Sequence, residues 1–283
     1  MLDPDWALTR PILWLALAAL VAVLVLRTIR KDRKEYQRFK RYRTTAKRQT
    51  MFRRWLLESF VTFGGLSAGL LLLAGQFVAP LLRELQGWAF VAWARSLLSS
   101  PVFIGSMAGL VLGLVILTIV GIIAARQQQD VVTIGDIQSM LPRNKQELRL
   151  GAVMSVNAGL FEELMFRLAL PALVFGASGS ALAGVIFSVL LFGALHLYQG
   201  VAGVVGTTVV GAVLMALYVV TGWIAVPIVL HALLDLRSLV LIPVTVMGGH
   251  KIDGRAHPII PRRVSAPPPR TEPQPQPEPA AEG

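Results

Sequence analysis

The sequence predicts an all-α fold: a polytopic bundle of about seven transmembrane helices, with a basic cytoplasmic loop and a disordered, proline-rich C-terminal tail. Hydrophobic residues make up 54% of the 283 residues and charged residues only 15%, which is too apolar for a soluble domain. The apolar residues form stretches of about 20, the length that a helix needs to cross roughly 30 Å of hydrocarbon. Cysteine is absent, which excludes disulfides, thiolate nucleophiles and cysteine-ligated metals.

Seven apolar stretches are candidates for these spans. The first is expected to be a retained anchor rather than a signal peptide, because acidic residues precede it and a dense basic block follows it. The last four are joined by very short connections, which favour adjacent antiparallel helices. In chain order the stretches are 6–26, 60–82, 102–125, 150–175, 177–197, 201–220 and 223–247.

The spans divide the chain into four parts. Residues 1–59 form an N-terminal anchor and a basic juxtamembrane segment, and residues 60–141 form two further transmembrane helices and a cytoplasmic loop. Residues 142–249 form a helical core that carries the candidate site. Residues 250–283 form a cytoplasmic tail that ends in repeated proline, so it cannot bury a core and is expected to be disordered.

The net charge of +11 lies in one segment, from Arg27 to Arg54, where 13 Lys or Arg residues face only Asp32 and Glu35. A basic run beside a hydrophobic helix is typical of a cytoplasmic loop, attracted to anionic lipid headgroups by about 1 kcal/mol per Lys or Arg. The expected partner of this segment is therefore the lipid surface and not nucleic acid. Alternation of basic and weakly charged loops places the N-terminus outside and the C-terminus in the cytoplasm of a bacterial plasma membrane.

Ionisable residues inside the predicted spans are concentrated in the C-terminal half. Each costs at least about 2.5 to 3.5 kcal/mol at the bilayer centre, so each marks a candidate functional position. Glu163 and Arg167 are four residues apart and share a helix face, which predicts a structural ion pair. Glu162 points about 100° away from Glu163 and is left free to act as a base or to hold a cation.

Two histidines could meet Glu162 in one water-filled cavity. His196 ends the fifth stretch, four residues after Phe192, whose ring is expected to pack beneath it. His231 lies four residues before Asp235, whose carboxylate can orient the imidazole or share a ligand with it. Glu162, His196 and His231 could hold Zn²⁺ with an open fourth position, whereas Glu162 could also act as a general base without a metal. The residues leave both mechanisms open.

At these positions the chain resembles the CPBP family of CAAX proteases and bacteriocin-processing enzymes, which includes a type II CAAX prenyl endopeptidase. The resemblance covers about residues 142–247 and is carried by three elements in the family's order. They are Glu162-Glu163-x-x-x-Arg167, Phe192-x-x-x-His196 and His231-x-x-x-Asp235.

The resemblance implies a metalloendopeptidase that hydrolyses peptide bonds in an intramembrane cavity, with Glu162 and His196 activating water. His231 and Asp235 would then stabilise the oxyanion or bind the metal. The family often has Asn where this chain has Asp235. An Asn amide can donate to an oxyanion, whereas an ionised Asp repels it, so Asp235 is either protonated or orients His231.

The preferred hypothesis is an intramembrane endopeptidase that acts on a membrane-associated or CAAX-like protein or peptide. Two alternatives use the same polar cluster: a non-proteolytic scaffold or immunity protein, and an ion-coupled transporter. Alanine substitution separates them, because an enzyme needs Glu162 and His196, whereas a scaffold should tolerate the loss of either.

Overall fold

A computed structural model describes residues 6–98, residue 100, part of 101–123, and residues 137–254. Every regular element in these parts of the chain is a helix. The third predicted span, 102–125, lies largely outside the described residues, and so does the tail from residue 255 onwards.

The helices up to Leu97 follow one another with short connections, and so do the helices from Lys145 onwards. Helix α4 covers residues 145–178 and consists of Lys145–Glu163, a π-helical turn Leu164–Ala169, and Leu170–Ser178. The other helices are α1 Thr9–Phe39, α2 Thr45–Gly87, α3 Ala89–Leu97, α5 Ala181–Leu195, α6 Leu197–Thr221 and α7 Ala225–Thr245. Single 3₁₀ turns lie at Gln138–Met140 and Gly249–Lys251.

Four of these helices, α1, α2, α6 and α7, are long and apolar enough to cross a membrane by length and composition. Helix α4 is long enough but carries three charged residues in its apolar part. Helix α5 is apolar but has only 15 residues, about 22 Å. Within the described residues the prediction of a helical membrane protein is confirmed, while the count of seven spans is not.

The basic segment between the first two spans is helical rather than a loop. Helix α1 continues past the apolar stretch to Phe39, and α2 begins at Thr45, well before the predicted residue 60. Lys and Arg are good helix formers, and ion pairs join the two helices along the segment. Lys31 lies 2.6 Å from Glu58 across this hairpin.

Helix α4 lies at the centre of the bundle, where it contacts α1, α2, α5 and α7. The main hydrophobic cluster combines one face of α1 with the C-terminal half of α4, and it includes residues of α2 and α5. Leu13 and Leu17 of α1 pack there with Phe166 and Leu173 of α4. The N-terminal helices are therefore packed directly on the part of the chain that carries the candidate site.

The π-helical turn Leu164–Ala169 lies directly after Glu163 and shortly before Pro171. Proline has no N–H and its ring clashes with the carbonyl four residues earlier, so the helix widens in front of it. The Ser188 hydroxyl of α5 donates to the Phe166 carbonyl inside this turn, which satisfies a backbone acceptor within the bundle.

Three segments far apart in sequence meet at one end of the bundle. Arg48 of α2 and Glu147 of α4 form a fully buried ion pair of 3.1 Å, and the Arg48 guanidinium also donates to the Ser139 carbonyl. The Gln49 amide donates to the Gly254 carbonyl over 3.1 Å. The basic hairpin, the start of α4 and the residues after α7 therefore lie on the same side of the molecule.

Candidate active site

The four candidate catalytic residues line one cavity of about 460 Å³. Glu162 comes from α4, His196 from the end of α5, and His231 and Asp235 from α7. These helices are brought together because α4 contacts both α5 and α7. The structure thus collects in one place the residues that the sequence singles out, while their catalytic roles stay predictions.

Glu163 is fully buried and has partners on two helices. Its Oε2 atom lies 2.9 Å from Nε of Arg167, which is also buried, and Nη2 of Arg167 donates to Oε1 over 3.0 Å. The same Oε1 lies 2.7 Å from Nδ1 of His231. Because an ionised carboxylate only accepts, Nδ1 of His231 is the donor in this bond. Glu163 therefore fixes the orientation of the imidazole in addition to pairing with Arg167.

The contact between Glu163 and His231 does not follow from spacing, since the two residues are 68 positions apart. Gly159 is the sequence feature that could have indicated this contact. It lies one helical turn before Glu163, and a Cβ atom there would stand 2.8 Å from the backbone nitrogen of Ala232. This glycine lets α7 approach α4 closely enough for the bond to form.

Asp235 lies farther from the same imidazole than Glu163 does. Its Oδ2 atom lies 3.8 Å from Nε2 of His231, which is beyond hydrogen-bond distance. The orienting hydrogen bond that the sequence would allow Asp235 to supply is made by Glu163 instead. Asp235 faces the other nitrogen of the ring without a hydrogen bond to it.

His196 follows the last residue of α5 and is oriented by a backbone bond. Its Nδ1 atom lies 2.8 Å from the Phe192 carbonyl oxygen. A carbonyl can only accept, so Nδ1 carries the proton and, in the neutral ring, Nε2 has the lone pair. His196 can therefore accept a hydrogen bond or a proton through Nε2.

Phe192 lies between both imidazoles. Its ring centroid is 4.9 Å from that of His196 and 6.1 Å from that of His231. The Arg167 guanidinium lies 5.1 Å from the same ring, in a cation–π arrangement. Gly211 of α6 leaves space for the ring, since a Cβ atom there would approach it to 2.8 Å. Phe192 thus connects the ion pair to the two histidines.

Glu162 differs from Glu163 in having no fixed partner. Its side chain is partly buried on the cavity wall, and no hydrogen bond or ion pair from the described residues reaches its carboxylate. Of the two adjacent carboxylates, Glu162 is therefore the one available to a water molecule.

The Zn²⁺ that the resemblance implies would need three converging ligands with an open position. Among the described residues no group of three His, Asp or Glu side chains is arranged to hold a metal ion. Nδ1 of each histidine is engaged in a hydrogen bond, which leaves Nε2 as the nitrogen of each ring that could bind a metal. The arrangement does not fit a three-ligand zinc site, and the metal stays a prediction for direct metal analysis.

The N-terminal helices form a second wall of the cavity, with Arg27 and Tyr36 of α1 and Trp55 of α2 among its lining residues. The Tyr36 ring stands edge-on to that of Tyr198, with centroids 5.4 Å apart. No local sequence pattern predicts this wall, because the contacts join segments more than a hundred residues apart. The position of Tyr198, two residues after His196, could have indicated that its side chain lies near the site.

An apolar helical bundle whose charged and imidazole side chains surround a cavity defines an integral membrane protein with a polar internal site. The family model that matches is that of the type II CAAX prenyl endopeptidases, Rce1-like, over residues 144–237. This match confirms the resemblance to the CPBP and CAAX protease family for one third of the chain, and the family suggests intramembrane protease activity. No curated protein and no solved structure was found to match the chain.

Proposed function

We propose that the chain is an intramembrane endopeptidase that hydrolyses a peptide bond in a membrane-associated or CAAX-like substrate. The observation that carries this proposal is the cavity lined by Glu162, which has no partner among the described residues, and by two oriented histidines. The family match over residues 144–237 supports the same reaction class. The scaffold and transporter hypotheses have no comparable support in the geometry.

In the proposed reaction Glu162 is the general base. Its carboxylate takes a proton from water while the water oxygen attacks the carbonyl carbon of the scissile bond. Nε2 of His196 accepts the second hydrogen of the same water and orients its lone pair. A C–O bond forms, and the electron pair of the carbonyl π bond moves onto the oxygen as an oxyanion.

Collapse of this tetrahedral intermediate breaks the C–N bond. The leaving nitrogen takes the proton that Glu162 removed from water, which restores the carboxylate and releases an amine and a carboxylic acid. A protonated His231 donates to Glu163 through Nδ1, and its Nε2–H can donate a hydrogen bond to the oxyanion while the proton stays on the nitrogen. The Asp235 carboxylate, 3.8 Å from Nε2, balances the charge of this imidazolium. This role explains how an aspartate can stand where the family often has Asn.

The proposal is tested with the full chain purified in detergent. The probes are a fluorogenic peptide with a C-terminal CAAX-type sequence and a farnesylated cysteine, and the same peptide without the lipid. Loss of the base in Glu162→Gln, or of the imidazole in His196→Gln, should lower the cleavage rate by about 10²- to 10⁴-fold.

The matched control is Glu84→Gln, which makes the same chemical change at an exposed position of α2 outside the cavity. Its cleavage rate should equal that of the unaltered chain. Full activity in a folded Glu162→Gln protein would refute the assignment. Absence of cleavage by the unaltered chain would favour the scaffold or transporter hypothesis.

A further inference from the structure

We infer that Tyr198 is a further catalytic residue, whose hydroxyl donates a hydrogen bond to the oxyanion of the tetrahedral intermediate. This inference rests on the proposed function. It adds a donor from outside the three sequence elements that carry the family resemblance.

Tyr198 is held next to the reacting groups. It is the second residue of α6, two positions after His196, and the two ring centroids are 6.0 Å apart. It lines the cavity together with Glu162 and Asp235, and its phenol is within electrostatic reach of both carboxylates. On its other side the edge-on contact with Tyr36 limits its motion. The phenol is therefore a fixed part of the cavity wall.

The hydrogen bonding of this hydroxyl leaves its proton free. The Gln199 side-chain amide donates to the Tyr198 oxygen over 3.0 Å, so the oxygen is the acceptor in this bond. No acceptor for the hydroxyl proton is found among the described residues. Tyr198 can therefore donate to a substrate oxygen without breaking a hydrogen bond to the protein.

The position of Asp235 explains why such a donor is needed. An ionised carboxylate repels the negative charge that develops on the carbonyl oxygen, whereas an Asn amide at this position would donate to it. A phenol is neutral and can donate a hydrogen bond to this oxygen without the repulsion. Tyr198 would thus supply, from the start of α6, the neutral donor that Asp235 lacks.

The step requires no transfer of a proton or an electron from Tyr198. The O–H bond of Tyr198 stays intact throughout. Its hydrogen bond to the oxyanion forms when the water attacks and is lost when the C–N bond breaks. Because the oxyanion exists only near the transition state, the contribution should appear in kcat and not in KM.

The test is Tyr198→Phe, which keeps the ring against Tyr36 and His196 and removes only the hydroxyl. With the farnesylated fluorogenic peptide we expect kcat to fall by about 10²- to 10³-fold, the effect of losing one oxyanion donor, with little change in KM. Tyr218→Phe is the matched control, since Tyr218 is buried in a separate hydrophobic cluster outside the cavity. Its kcat should not change.

A second variant covers the case in which Tyr198→Phe does not fold. Gln199→Met removes the amide that holds the hydroxyl and should lower kcat by a smaller factor. Unchanged kcat in the folded variants, together with an inactive Glu162→Gln protein, would overturn the role of Tyr198 and leave the proposed function standing. Absence of cleavage by the unaltered chain would overturn both.

Discussion

The carboxylate of Glu163 joins two helices through two different partners. It pairs with Arg167 inside α4 and accepts a hydrogen bond from His231 of α7. Both members of the ion pair are excluded from solvent, so each depends on the other for compensation of its charge. Loss of either charge alone would therefore be costly, and the second contact of Glu163 orients an imidazole at the cavity.

These two roles of Glu163 can be separated by substitution. Arg167→Met leaves the Glu163 charge buried without its guanidinium partner, which should destabilise the protein by about 3 to 5 kcal/mol and lower its melting temperature in detergent. The double variant Glu163→Met/Arg167→Met replaces both charges by apolar groups of similar volume, so its melting temperature should return towards the original value. Fluorescence-detected thermal unfolding measures both effects.

Peptide cleavage by the double variant distinguishes the two roles. We expect it to be inactive, because His231 loses the acceptor that fixes its orientation. A double variant that is stable and fully active would show that the ion pair is only structural and that the bond to His231 is dispensable.

At the residue scale, the sequence predicts contacts within one helix better than contacts between helices. Spacing of four brings Glu163 to Arg167 and Phe192 to His196, since helical geometry alone sets those distances. The bond from Glu163 to His231 depends on how α4 and α7 pack, which no local spacing encodes.

Among the elements, the close approach of α4 and α7 positions three of the four candidate catalytic residues. The two helices are in contact along the part that carries Glu162, His231 and Asp235. The two helices approach closely at Gly159, because a Cβ atom there would lie 2.8 Å from the Cβ of Ala232. Small residues permit this kind of packing between membrane helices.

Gly159→Ala should therefore push α7 away from α4 and lengthen the bond between Glu163 and His231. We expect cleavage activity to fall by at least about tenfold, since small displacements of catalytic groups can cost up to 10²-fold in rate. Gly69→Ala is the control, because a Cβ atom at Gly69 of α2 meets nothing within 4 Å. Equal activity of the two variants would contradict this role of Gly159.

The difference between the predicted loop and the observed hairpin of α1 and α2 has a physical reason. The distribution of Lys and Arg reports which side of a membrane a segment faces and carries no information about its backbone conformation. Helix propensity and ion pairs such as that between Arg54 and Glu35 favour the helical form of the same residues. A prediction from apolar stretches alone therefore places the start of the second helix at residue 60, whereas the helix begins at Thr45.

For the whole molecule, composition and charge distribution indicate a helical membrane protein, and the four described candidate spans agree. They do not determine the number of spans, because α4 carries charge and α5 is short. Three basic segments contact one another: the hairpin of α1 and α2, the start of α4, and the residues after α7. They therefore lie on one side of the molecule. We propose that this side faces the cytoplasm and its anionic lipids.

The absence of native cysteine permits a direct test of this topology. Arg41→Cys lies in the turn between α1 and α2, Lys251→Cys lies after α7, and Trp223→Cys lies in the connection between α6 and α7. In right-side-out bacterial vesicles a membrane-impermeant maleimide should label only Trp223→Cys until the vesicles are permeabilised. Labelling of Arg41→Cys and Lys251→Cys from opposite sides would contradict the arrangement.

Incorporation of ¹⁸O from labelled water during cleavage tests the central claim most directly: that Glu162 activates water inside the cavity for attack on a peptide bond. The full chain is reconstituted into liposomes with the farnesylated peptide, and mass spectrometry follows the new carboxyl terminus. The unaltered chain should add one ¹⁸O atom per cleavage, and Glu162→Gln should form no product. Equal product with both proteins, or no product with the unaltered chain, would contradict the claim.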